Sequence, residues 1–236
     1  MERLDKLLSG TGLWSRKEVH GLLKAGRVTA NGICVKDPGG KFKEDVLLCV
    51  DGKRMNLLGV QYLMMNKPAG VISSTEDPTE KTVLDLLPAE YQKMGLFPVG
   101  RLDKDAEGLL LLTNDGPLAH HLLSPRHHVE KVYYVKVRGE LVAADVLAFC
   151  EGIILKDGTV CQKADLEILR QPETALVTLQ EGKYHQVKRM MASRGKPVDY
   201  LKRLKMGTLE LDPMLKKGQW RLLSEEERSQ LAETRR

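Results

Sequence analysis

Leu4, Leu7 and Leu8 recur at helical spacing at the start of the chain, which predicts a short helix with one apolar stripe. Ser15 followed by Glu18 forms the S-x-x-E capping-box pattern of a second helix. Val19, Leu22 and Leu23 supply its buried stripe, and Gly26 falls where it should stop. The period then shortens. RVTA reads as a strand, Asn31-Gly32 as a hairpin turn, and Ile33 to Val35 as the returning strand. KEDVLLCV completes this unit as a strand, and the polar, turn-like DGKRMN belongs to a linker over about 46–60.

A longer mixed pattern follows. Gln61 to Met65 is a predicted strand ended by Asn66-Lys67-Pro68, and Thr82 with Asp85 caps a short helix that Pro88 ends. Gly108 to Thr113 is almost wholly apolar and fits a buried strand. Asp115 caps a helix through Leu123, with Pro117 tolerated near its start. Tyr133, Val135 and Val137 alternate with Val132, Tyr134 and Lys136, which gives a strand with one apolar face. A helix over Ala143 to Glu151 turns Val146, Phe149 and Cys150 inward; Leu176 to Gln180 is a strand. The helix after Gly182 buries Val187, Met190 and Met191, and Gly195 and Pro197 end it. This order lacks a regular βαβ rhythm, so the expected class is α+β, with mixed, mainly antiparallel sheet and packed helices. The expected division is a small domain with its linker over 1–60 and a larger one over 61–236.

Composition sharpens the picture in one respect. Of a net charge of +5, a surplus of four lies in the first 60 residues, with eleven basic against seven acidic side chains. Arg16, His20 and Lys24 line one face of the second predicted helix, beside Lys17. Such a face either meets phosphates along an RNA groove or is simply solvated; the spacing allows both. Cys34, Cys49, Cys150 and Cys161 are 15, 101 and 11 residues apart, which matches no zinc-knuckle spacing and fits free thiols in a reducing cytoplasm. The densest apolar run, Gly108 to Leu112, is too short to cross a membrane, and MERLDKLL lacks the order of a signal peptide.

Candidate chemistry gathers in two blocks. Pro98 to Gly116 holds Arg101, Asp103, Lys104, Asp105, Glu107 and Asp115 against the buried strand. Charge so close to a core needs a reason. Asp103 is the candidate nucleophile; Asp105 and Glu107 read as solvated loop residues, and Asp115 as a helix cap. Glu181 to Met190 crowds Lys183, Lys188 and Arg189 at a helix start. Packing of Val187 and Met190 leaves Lys188 at the edge of the buried face, where it can reach a carboxylate held on the sheet. Three exposed cations, or a phosphate-binding helix, fit the same residues. Of the histidines, His120, His121, His127, His128 and His185 fall in the large domain, but adjacent pairs diverge on a regular element, so no zinc site is expected. His185 is expected to order the helix start.

These stretches carry a resemblance. RLDKLL, SRKEV and GRVTANG, over residues 2 to about 45, are similar to the S4 RNA-binding domain. NKPAGVISS, GRLDKDAEGLLLLTNDG, EKVYYVKV and EGKYHQVKRM, in that order, resemble the motifs of pseudouridine synthases over roughly 61–225. The resemblance implies that Asp103 is catalytic, that Tyr133 lies over the target base, that Lys188 pairs with Asp103, and that Arg101 positions the RNA. It implies RNA contacts for Arg16, Lys17, Lys24, Arg126, His127, His128, His185, Gln186 and Arg189. Lysine at 188 and the stretch SPRHH resemble the branch acting on small-subunit ribosomal RNA. Met191 departs from a phenylalanine common in relatives; methionine packs adaptably. The implied target is uridine 516 of 16S ribosomal RNA in a partly assembled small subunit. The isomerisation oxidises nothing and takes no group from outside, so no cofactor is expected, and a monomer is the expected state. The competing readings are a synthase for large-subunit 23S ribosomal RNA and a non-catalytic ribosome-assembly protein. Asp103 standing exposed and far from Tyr133 and Lys188 would favour the latter.

Overall fold

Two short helices and a set of two- and three-residue strands make up the N-terminal part of the computed structural model, which describes residues 1–11, 13–43, 46–55 and 59–233. The elements are β1 (Glu2–Arg3), α1 (Leu4–Ser9), α2 (Arg16–Lys24), β2 (Val28–Ala30), β3 (Ile33–Cys34), β4 (Lys41–Phe42), β5 (Leu48–Val50) and β6 (Lys53–Arg54). The capping box is present: Ser15 Oγ accepts from the Glu18 amide at 3.3 Å, and Glu18 accepts from the Ser15 amide at 2.7 Å. Leu4, Leu8, Val19, Leu23, Val28 and Leu48 pack into one core. Asn31 and Gly32, at φ 50° and 83°, make the expected turn between β2 and β3. Asp51 and Gly52 repeat that geometry at φ 51° and 74°. The stretch read as a polar linker therefore opens a second hairpin, in which β6 pairs with β5.

The larger part contains β7 (Tyr62–Lys67), α3 (Ala89–Gln92), β8 (Phe97–Pro98), β9 (Glu107–Thr113), α4 (Gly116–Leu123), β10 (Lys131–Val137), α5 (Ala143–Glu151), β11 (Asp165–Ile168), β12 (Thr174–Leu179), α6 (Gln186–Ser193), β13 (Val198–Met206), β14 (Leu209–Glu210), β15 (Trp220–Leu222) and α7 (Glu225–Glu233). Its sheet runs β11-β12-β10-β13-β9-β7-β15, with β14 on β13 and β8 on β9. The pairs are antiparallel except β13 with β9. The class is α+β, as the alternation of elements predicts.

The apolar run of β9 is explained by cover on both faces. Leu109 and Leu111 join one core, Leu110 and Leu112 another. Gly108 is required where β9 meets β13. Its φ is +103°, and a Cβ there would stand 2.2 Å from the Arg203 carbonyl oxygen. A third core lies beneath α5 and α6, where Tyr133, Val135, Phe149, Val187, Met190 and Met191 pack together.

Several expectations need correction. The helix expected after Thr82 is a single 3-10 turn, Leu84–Leu86, although Thr82 and Asp85 do cap each other; Pro88 then precedes α3. Cys150 is exposed, and the buried polar partner on α5 is Asp145, which accepts from Arg194 Nε at 3.0 Å. Glu107 is buried at the head of β9, where it accepts from the Tyr200 hydroxyl at 2.7 Å and from Lys217 Nζ at 2.9 Å. A carboxylate so paired belongs in the core, where an unpaired one would be costly.

Candidate active site

Asp103 lies in the loop between β8 and β9, and that loop is held from below. Ser73 Oγ donates to the Leu102 carbonyl at 2.9 Å and accepts from the Leu102 amide at 3.0 Å. The Gly70 amide donates to the Lys104 carbonyl at 2.7 Å. Lys67, fully buried at the end of β7, donates to the carbonyls of Pro68, Asp103, Lys104 and Ala106 at 2.8–3.3 Å. Burial pushes its pKa down to about 8, against the pull of Asp105 and Asp103. Its ammonium hydrogens, gathering these loop carbonyls, fix the backbone from which the Asp103 side chain projects.

The opposing wall is the start of α6. Glu181, buried, accepts from the Gln162 amide at 2.9 Å and pairs with Lys183 at 2.7 Å and with Gln186. Gln186 also accepts from the Lys183 amide at 2.8 Å. The expectation of an RNA contact for Gln186 meets a different placement, because its amide is committed within the protein and the residue is buried. With Val187, Met190 and Met191 anchored in the core, Lys188 is carried to the cleft edge. Its ammonium stands 3.0 Å from Asp103 Oδ2 and also pairs with Asp105. Burial disfavours the charge of Lys188, but the hydrogen bonds to both carboxylates outweigh it and hold its pKa above the ordinary lysine value. Asp105 is thus more than a solvated loop residue: its side chain is 75% exposed, yet it shares the cation.

His185 does not cap the helix with its side chain. It sits in the left-handed region at φ 47°, and its Nε2 lies 3.4 Å from Asp103 Oδ1. Tyr133, 8% exposed, lines the same cleft as Arg101, Asp103 and His185, among the apolar walls of Leu102, Ala106, Val187 and Leu201. Its hydroxyl makes no hydrogen bond among the described residues. Asp103 itself is 23% exposed and within 3.0 Å of Lys188, which is not the exposed, isolated carboxylate a purely binding protein would present. Arg101 is exposed at the mouth of the cleft and pairs with no carboxylate among the described residues. Arg189 pairs with Asp157.

The remaining expected contacts lie elsewhere. Arg126, His127 and His128 are exposed just after α4, where the His121 and His127 rings stand 3.9 Å apart. Burial, then the neighbouring histidines and Arg126, lowers the pKa of His127. Arg16, Lys17 and Lys24 are exposed on α2 without an ion-pair partner among the described residues, whereas His20 lies 3.4 Å from Asp5. Among the described residues no group of three or more His, Cys, Asp or Glu side chains could hold a metal ion, and no helix is long and apolar enough to cross a membrane. Lys67 escapes a reading of the sequence. NKP looks like a strand end, and only burial of the lysine beside the Asp103 loop gives it a role.

The chain is similar to known proteins over nearly all of its length. The family model for RNA pseudouridylate synthase matches residues 61–193, and that for the S4 domain matches 2–46. An uncharacterized RNA pseudouridine synthase of Bacillus subtilis is 46% identical, covering 95% of this chain and 96% of its own. Ribosomal small subunit pseudouridine synthase A of Vibrio cholerae is 41% identical, covering 95% and 97%. A crystal structure of a pseudouridylate synthase superposes with a TM-score of 0.69 at 32% identity, covering 98% of this chain and all of that one.

Proposed function

Because the chain belongs to the RNA pseudouridylate synthase family and carries an S4 domain ahead of the synthase domain, we propose that it converts uridine 516 of 16S ribosomal RNA to pseudouridine, with Asp103 as the catalytic carboxylate. The observation that carries the site assignment is the 3.0 Å pair of Lys188 with Asp103 in the cleft that Tyr133 lines. The choice of small-subunit RNA is supported by relatives of about 40% identity, from Vibrio cholerae and Yersinia pestis, named for that substrate.

The reaction breaks the N1–C1′ bond, turns the base, joins C5 to C1′ and removes the proton from C5. Asp103 offers a carboxylate to the fragments as they separate. Lys188 compensates that charge in a part-buried cleft, where it acts more strongly than in water. The Tyr133 ring and the apolar walls hold the base out of water, with the free hydroxyl available to a polar edge. The target must leave its stack to enter. Arg101 at the mouth and Arg16, Lys17 and Lys24 on α2 meet RNA phosphates. The proton lost from C5 is matched by one gained at N1, so the isomerisation is redox-neutral and balances without a group from outside. The protein acts as a monomer on a partly assembled subunit in the cytoplasm.

Ribosomal RNA from cells with and without the gene, sequenced after pseudouridine-specific derivatisation, tests the target. The modification at small-subunit position 516 should disappear with the gene. Its persistence, with disappearance of a large-subunit modification instead, would overturn the assignment.

A further inference from the structure

Tyr184 is the large aromatic side chain beside the cleft that the reaction leaves unused. It is 73% exposed, and its ring lies 3.8 Å from that of His185 at an interplanar angle of 17°. One face is thus covered by the imidazole and the other is open. His185 in turn reaches Asp103 Oδ1 at 3.4 Å. The open ring therefore stands one imidazole away from the carboxylate.

We propose that Tyr184, backed by His185, forms a stacking shelf for one unpaired nucleobase adjacent to the target uridine. The proposal rests on the reading that the cleft takes that uridine.

Three observations support it. Successive side chains on an extended strand point to opposite faces. Here the left-handed backbone at His185, φ 47°, accompanies two adjacent rings lying together. Such a conformation is unfavourable for a residue other than glycine and persists where its surroundings hold it. The shelf is also tied down. Arg189 Nη1 donates to the Tyr184 carbonyl at 3.3 Å while its guanidinium pairs with Asp157, and Lys183 Nζ donates to the Val160 carbonyl at 2.6 Å. Finally, the chemistry creates the need. A uridine turned out of its stack leaves its neighbour with a bare face, and an aromatic ring beside the cleft replaces the missing base whatever the identity of that neighbour.

The test uses an RNA fragment around whichever ribosomal uridine the unmodified enzyme converts, so it does not depend on the small-subunit assignment. Tyr184→Ala, Tyr184→Phe and Tyr184→Trp are compared on that fragment, and on copies with an abasic ribose at each flanking position. Tyr184→Ala should weaken RNA binding about tenfold and raise KM more than it lowers kcat. Phenylalanine and tryptophan should restore binding. An abasic ribose at one flank should cost the unmodified enzyme a similar factor and cost Tyr184→Ala nothing further. Binding by Tyr184→Ala within twofold of normal, or effects that multiply at every flanking position, would overturn the shelf. Conversion confined to large-subunit RNA would overturn the target assignment alone. Conversion of no ribosomal uridine would overturn the cleft reading and the shelf with it.

Discussion

Lys67 is the residue whose setting departs furthest from its type. Its ammonium is sealed under the Asp103 loop among carbonyl oxygens, and burial brings its pKa from 10.5 down to about 8. The sign of the linkage follows. Between about 8 and 10.5 the unfolded chain binds a proton at this site that the folded chain has released, so stability rises with pH across that window. A shift of this size corresponds to roughly 3 kcal/mol. The unfolding free energy of the wild type relative to that of Lys67→Met, measured at pH 7 and pH 10, should therefore rise with pH. The wild type should gain on the variant by up to that amount. A constant difference between the two proteins would show that the site is not a buried charge. None of this is legible in NKP, because the pattern of a strand end is the same whether its lysine turns inward or out. Glu107 is hidden for the same reason: its partners, Tyr200 and Lys217, are about a hundred residues away.

At the scale of elements, α2 is readable because a capping box precedes an apolar stripe at helical spacing, and α6 is readable from its stripe of Val187, Met190 and Met191. The α6 stripe also fixes which way Lys188 faces. β13 is not readable. Its nine residues include Lys202, Arg203 and Lys205, and one of its fully buried positions is Arg203, whose Nε donates to the Leu109 carbonyl at 2.8 Å. A cation in the buried register hides the alternation that marks a strand. α7 is hidden for a different reason: among the described residues Leu231 is its buried side chain, too little for a stripe at helical spacing. The exposed face of α2 carries its own prediction. Replacing Arg16, Lys17 and Lys24 together by alanine should leave the fold intact, because all three are exposed while Val19, Leu22 and Leu23 hold the helix. RNA affinity should fall and its dependence on salt should flatten, by up to about one logarithmic unit of slope for each phosphate no longer neutralised. A salt titration of binding is the check. An unchanged slope and affinity would move the RNA-binding surface off α2.

At the scale of the whole molecule, the α+β class and the succession of the two parts follow from periodicity, capping signals and turn residues, while the order of strands in the large sheet does not. Asp103 and Lys188 are 85 residues apart, and the sheet order that lets their elements meet is fixed by long-range packing such as the close approach of Gly108 to Arg203. Catalysis by Asp103 turns on that meeting. Asp103→Asn keeps the shape of the side chain and removes its charge and nucleophilicity, and Lys188→Met removes the cation while keeping an apolar stem. Leaving either partner alone can also cost stability, so thermal unfolding comes first. The decisive measurement is uridine-to-pseudouridine conversion, in naked small-subunit RNA and in a partly assembled subunit, by folded Asp103→Asn protein that still binds RNA. The catalytic role of Asp103 predicts no pseudouridine from this variant and a severely slowed Lys188→Met. Near-normal conversion by Asp103→Asn on the substrate that the unmodified enzyme accepts would contradict it.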